Sequence, residues 1–270
     1  MDFISRIEKA WGKNDSLVCV GLDSELQRIP ELLHGKDHPI FEFNRSIVDA
    51  TADLVCAYKP QFAYYAAEGA EMQLSMTIDY IHEQYPDIPV ILDAKRGDIG
   101  STARMYVKEV FDRFKADAVT VNPFLGRDAL EPFLDRKEKG VIILCRTSNP
   151  GARDIQDLET QGRKLYEVIA RKASEEWNSN GNVLLVVGAT YPAELKEIRA
   201  IVGEMPFLVP GIGAQGGDIK AAVENGKTPQ GTGMIINSSR GIIFAGSGPD
   251  FAEAAREAAE TLRREINRYR

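Results

Sequence analysis

PVILDAKRGDIG, residues 89–100, runs through Val90, Ile91 and Leu92 and then turns to Asp93, Lys95, Arg96 and Asp98 before a glycine. Consecutive apolar residues in a short strand mean burial on both faces, the mark of a parallel sheet covered by helices. Seven other runs share this pattern: SLVCVGLD (16–23), LVCAYKPQFA (54–63), DAVTVNP (117–123), GVIILCRTS (140–148), NVLLVVGAT (182–190), PFLVPGIG (206–213) and GMIINSSRG (233–241). Segments of helical periodicity separate them, among them EGAEMQLSMTIDYIHEQY (68–85), with Met72, Leu74, Met76, Ile78 and Ile81 as its apolar positions, and RKLYEVIARKASEEW (163–177). A last helix follows Pro249 and Asp250, both helix-start signals.

Eight strand-then-helix units in a chain of 270 residues fit a (β/α)8 TIM barrel better than an open doubly wound sheet. No Gly/Pro/Ser-rich linker divides the pattern. The expectation is one α/β barrel domain over 1–270, with MDFISRIEKAWGK (1–13) as an extra N-terminal helix at the barrel floor.

Composition narrows the function classes. The chain is 44% hydrophobic and 27% charged, ordinary for a globular protein. Its net charge of -7 gives no overall case for binding nucleic acid or an anionic membrane, so any anionic ligand must be held by local groups. No apolar run approaches the ~18 residues of a membrane span, and the start lacks the order of a signal peptide. The expected location is the cytoplasm. Cys19, Cys56 and Cys145 lie singly in apolar runs and read as buried thiols rather than metal ligands or a redox pair. His34 and His38 fall in a polar loop and His82 in a helix, which leaves no histidine metal cluster.

A TIM barrel gathers its active site at the carboxyl ends of its strands. Those ends carry Asp23, Lys59, Asp93 with Lys95, Asn122, Thr147 with Ser148, and Ser238, Ser239 and Arg240. Serine or asparagine there also serves turns; two lysines and two aspartates say more. Asp93 and Lys95 are two residues apart, so a regular strand points both into the barrel, while Arg96 faces the helices or the rim. The plainer reading is a structural ion pair with a capping aspartate. Lys59 on the neighbouring strand turns the pair into a Lys-Asp-Lys array, suited to a reaction that creates negative charge on its ligand. Opposite unit charges ~4 Å apart attract by about 4 kcal/mol at an effective dielectric near 20. The loops after strands seven and eight, PGIGAQGGD (210–218) and NSSRGI (237–242), offer Gln215 and the bidentate Arg240 for a phosphate.

These residues resemble a known family. LDAKRGDIGST (92–102) is similar to the Asp-x-Lys-x-x-Asp signature of the orotidine 5'-phosphate decarboxylases, which complete UMP biosynthesis. Asp23, Lys59, RTSNPG (146–151), PGIGAQGG (210–217) and SSRG (238–241) extend the likeness along nearly the whole chain, and the length and the RTSNPG loop look like the longer bacterial form. The resemblance implies that Lys95 protonates C6 and stabilises the C6 carbanion, while Asp93 sits against the substrate carboxylate. It implies that Lys59 and Asp23 engage the ribose and the charged network, and that Ser148 meets the pyrimidine amide. Pro210 would line the pocket, with Gln215 and Arg240 on the phosphate. Asp98, Ile99 and Thr102 would enter the neighbouring subunit's site, which implies a homodimer. No metal or organic cofactor is required.

Two departures stand out: Gly100 occupies the place where shorter members usually have proline, and residues 151–181 have no secure counterpart in the short forms. Either Thr147 or Ser148 could face the base, and Asn122 has no implied role. Two other readings fit parts of the pattern. Magnesium-dependent sugar-phosphate decarboxylases or aldolases of the same suprafamily share the Asp-x-Lys-x-x-Asp stretch, but use an acid near the end of strand two, where this chain has Lys59. A non-catalytic nucleotide-phosphate-binding barrel would have no need of Asp93 or Lys95.

Overall fold

In the computed structural model, which describes residues 1–212 and 217–270, all eight runs form strands. They are β1 (Val18–Leu22), β2 (Ala57–Pro60), β3 (Ile91–Arg96), β4 (Ala118–Val121), β5 (Gly140–Arg146), β6 (Val183–Val187), β7 (Phe207–Val209) and β8 (Met234–Ser238). Their spatial order is β2-β1-β8-β7-β6-β5-β4-β3 with parallel pairing throughout. The isolated parallel bridges Tyr58–Val90 and Gln61–Asp93 join the two ends and complete the barrel. Every residue of β1, β2, β4 and β6 is buried, as double-sided covering by helices requires.

The helix Phe3–Asn14 lies across the floor, against the chain that enters the strands. Phe3 N donates to Glu138 O ahead of β5, the Arg6 guanidinium reaches Asp117 ahead of β4, and Asn14 Nδ2 donates to Ala52 O and Val55 O ahead of β2. The floor is tight enough that Gly140 leaves no room for a side chain: a Cβ there would lie 2.5 Å from the Phe3 ring and 2.8 Å from Ala118.

One local expectation needs correction. Helix Glu71–Gln84 buries Leu74, Thr77, Ile78 and Ile81, whereas Met72 is 61% exposed. Met72 precedes Leu74 by two residues, about 200° around the helix axis, so it cannot share the buried stripe. The final helix, Phe251–Asn267, begins where Pro249 and Asp250 signalled it, with Asp250 at the N-cap position and no capping hydrogen bond from its side chain. The three cysteines are free and buried as expected. No helix among the described residues is long and apolar enough to cross a membrane.

Candidate active site

At the carboxyl end of the barrel a cavity of about 530 Å³ is walled by residues of all eight strands or the loops that follow them, including Asp23, Lys59, Asp93, Lys95, Ser148, Pro210 and Arg240. Its centre is Asp93. Lys59 Nζ donates to Asp93 Oδ2 at 2.9 Å and Gln61 Nε2 to the same oxygen at 3.1 Å. Lys95 Nζ donates to Oδ1 at 2.7 Å and Thr120 Oγ1 to the same atom at 2.8 Å. Four donors thus saturate a carboxylate that is only 7% exposed.

The register explains how one short segment presents both charges. Leu92 pairs with Val119 and Arg96 with Val121, so Asp93, Ala94 and Lys95 lie opposite Thr120 alone. The strand bulges, and Lys95 takes φ 45°, a left-handed conformation unusual for a side chain of its size. A regular strand was the expectation; the bulge replaces it, and Lys95 reaches Asp93 by folding back rather than by alternation. Thr120 holds the bulge from both sides, its Oγ1 accepting from Lys95 N at 3.0 Å while donating to Asp93. Strain of this kind persists where the surroundings over-determine it, most often at functional sites.

The two lysines differ in access. The Lys59 side chain is 4% exposed and that of Lys95 48%, so Lys59 is committed to the array while Lys95 presents its ammonium to the cavity. Burial opposes charge on Lys59, but the nearby Asp93 and Asp23 carboxylates win and raise its pKa above the ordinary lysine value. Burial likewise opposes charge on Asp93, yet Lys59 and Lys95 with their hydrogen bonds hold it well below the usual carboxylate range. Burial pushes the Cys19 thiol up to about 12, which keeps that neighbour of the array inert.

Arg96 leaves the cavity as expected, forming a two-pronged ion pair with Glu109 at 2.8 and 2.9 Å under the rings of Phe62 and Tyr106. Asp23 borders the array, and its buried Oδ1 has no hydrogen-bond partner among the described residues. Pro210 and the exposed Arg240 line the wall between β7 and β8. Gln215 lies outside the described residues.

Asp98, Ile99 and Thr102 do not line this chain's own cavity. Asp98 Oδ1 accepts from Ile99 N at 2.7 Å, and Ile99 is 57% exposed. Gly100 opens the following helix at φ 57°, which explains its departure from proline: a ring locked near −65° could not adopt it. Asn122 is structural, its Oδ1 accepting from Phe124 N at 3.0 Å in the turn after β4.

Beyond β5 the open choice between Thr147 and Ser148 narrows. Thr147 Oγ1 donates to Asn149 Oδ1 at 2.6 Å and accepts from Gln156 Nε2 at 2.9 Å, so its only hydroxyl proton is already committed. The Ser148 hydroxyl makes no hydrogen bond among the described residues and borders the cavity. Gly188 lets it stand there, since a Cβ would lie 2.8 Å from Ser148 Cα.

Sequence reasoning missed Gln61, Thr120 and Gln156. Gln61 follows Lys59 by two and Thr120 is the one hydroxyl in β4, signals too common to single out without the register. Among the described residues no three carboxylate, imidazole or thiol groups are gathered to hold a metal ion.

With this geometry in view, similarity to known proteins is consistent and covers the chain. The family model described as Orotidine 5'-phosphate decarboxylase / HUMPS family matches residues 16–258. The orotidine 5'-phosphate decarboxylase of Dechloromonas aromatica is 61% identical over 270 residues, 100% of both chains. That of Azoarcus sp. is 60% identical over the same span. The solved structure of Leishmania donovani OMP decarboxylase superposes with a TM-score of 0.87 at 39% identity, covering 100% of this chain and 99% of the other.

The array makes a prediction about stability. An ionised Asp93 with a depressed pKa stabilises the fold fully above its unfolded value of about 3.9, and that contribution is lost as pH falls through the lower folded value. Asp93→Asn, which leaves Lys59 buried without its partner, is expected to lower the unfolding free energy by about 3–5 kcal/mol at pH 7, with a smaller deficit at pH 3. Denaturant unfolding of both proteins at the two pH values checks it.

Proposed function

We infer the activity from one premise: this chain belongs to the orotidine 5'-phosphate decarboxylase / HUMPS family, and its relatives at 56–61% identity carry the decarboxylase name. The chain is accordingly an enzyme that decarboxylates orotidine 5'-phosphate to UMP in pyrimidine biosynthesis. The observation that carries the residue-level reading is the Lys59-Asp93-Lys95 array in the cavity wall.

In this reading the substrate carboxylate meets Asp93. The bond from C6 to the carboxylate carbon breaks, carbon dioxide leaves, and the electron pair stays on C6, where no cofactor delocalises it. The half-exposed Lys95 ammonium stabilises that charge, then gives C6 a proton and regains one from solvent. Its left-handed backbone and the Thr120 contact fix it before the reaction begins, so little reorganisation is needed as charge develops. Lys59 keeps Asp93 ionised and, with the unpartnered Asp23 oxygen, reads the ribose hydroxyls. Ser148 hydrogen-bonds the pyrimidine amide, Arg240 and Gln215 hold the phosphate beside Pro210, and binding of that distant group helps to organise the reacting end. No metal or organic cofactor takes part.

The enzyme works in the cytoplasm as a homodimer in which Asp98, Ile99 and Thr102 serve the partner's site. Support for the dimer comes from large apolar side chains left open on the segments after β3 and β4: Ile99 is 57% exposed, Met105 55% and Phe124 80%. A carboxylate that stands clear of its own cavity beside such a surface has a natural destination across an interface.

The test follows orotidylate by its ultraviolet absorbance in the presence of EDTA. Chelator-resistant decarboxylation is expected; turnover of a keto-sugar phosphate only when magnesium is added, with none of orotidylate, would overturn the reading, and UMP binding without turnover would favour a mere binding module. Sedimentation is expected to give twice the 29.9 kDa chain mass, and Phe124→Asp to shift the protein toward monomer with loss of activity.

A further inference from the structure

The segment after RTSNPG folds as a short helix Arg153–Gln156, a two-residue hairpin of Glu159–Thr160 with Arg163–Lys164, and the helix Leu165–Lys172. Its first helix returns two side chains to the end of β5. Gln156 grips Thr147 twice, its Oε1 accepting from Thr147 N at 2.9 Å and its Nε2 donating to Thr147 Oγ1 at 2.9 Å. Thr147 passes the constraint on by donating to Asn149 Oδ1 at 2.6 Å, so the residues on either side of Ser148 are tied while its hydroxyl stays free.

A buried charge anchors the clamp. Arg146 is fully buried at the end of β5, and its Nη1 lies 3.5 Å from Gln156 Oε1. Asp157 at 3.3 Å and Glu194 at 3.8 Å balance its charge, and the Tyr191 ring covers it at 4.1 Å. Because Thr147 N and Arg146 can only donate to Gln156 Oε1, the orientation of the amide is fixed, leaving its NH2 for the Thr147 hydroxyl.

We infer that Gln156 is a positioning residue for the enzyme's recognition of the pyrimidine: it clamps Thr147 so that Ser148 presents its hydroxyl to the base amide, with Arg146 holding Gln156 in register. The inference rests on the reading of Ser148 as the base contact. It gives the segment after β5 a task in the reaction, delivery of Gln156 and of the Arg146 partner Asp157. Thr147 acts as the link between clamp and contact, which accounts for a threonine that faces the site without touching the ligand.

A double-mutant cycle tests it, with kcat/KM for orotidylate as the readout. Gln156→Ala and Ser148→Ala are each expected to lower kcat/KM by about tenfold to a hundredfold, the range a misplaced binding group costs. If Gln156 works through Ser148, the two losses do not multiply: the double variant is expected within about twofold of Ser148→Ala alone. Losses that multiply, with Ser148→Ala itself costly, would overturn the positioning role and leave the base contact standing. A silent Ser148→Ala would instead overturn the base contact on which the inference rests. Thr147→Val removes the hydroxyl half of the clamp at nearly constant volume; should Gln156→Ala fail to fold, the same cycle run with Thr147→Val decides between the same outcomes.

Discussion

Everything in this site leans on one buried carboxylate. Asp93 accepts hydrogen bonds from Lys59, Gln61, Lys95 and Thr120, contributed by β2, the turn that follows it, β3 and β4. An isolated carboxylate at that depth would shed its charge or its position. Four convergent donors let it keep both, and in return it pulls three neighbouring chain segments into fixed relation. The same contact that orders the array therefore helps to close the barrel, since the bridge Gln61–Asp93 is one of the links between β2 and β3.

The division of labour between the lysines follows from burial rather than from residue type. Lys59 spends its charge inside the wall, where it keeps Asp93 ionised and orients it. Lys95 gains the same counter-charge but retains an open face toward the cavity. A cation held in place before the reaction stabilises a developing anion without the cost of reorganising around it. The strained backbone at Lys95 belongs to that arrangement: the bulge lifts the side chain out of the sheet's ordinary alternation, and Thr120 holds the Lys95 backbone N–H there.

Much of this was legible in the chain before its folding was known, for physical reasons. Strands buried on both faces declare themselves as apolar runs, so all eight appeared where read, and charges at the ends of such runs have few structural uses. Lys59, Asp93 and Lys95 could thus be picked out singly. Their neighbours could not, because Gln61, Thr120 and Gln156 are uncharged residues of common type whose importance is a matter of what they face. The bulge was hidden for a related reason: it exists only in the register of β3 against β4. The choice between Thr147 and Ser148 turned on Gln156, which arrives from a segment with no assigned purpose, and Gly100 made sense only once its positive φ was seen.

In the proposed mechanism the Lys95 ammonium supplies both the stabilisation of the C6 carbanion and the proton that ends it. The most direct measurement is the decarboxylation rate of Lys95→Ala on saturating orotidylate, beside a check that the variant remains folded and binds UMP. Loss of the cation and the acid together is expected to lower the rate by at least about a thousandfold. A folded variant within tenfold of the wild-type rate would contradict that role for Lys95.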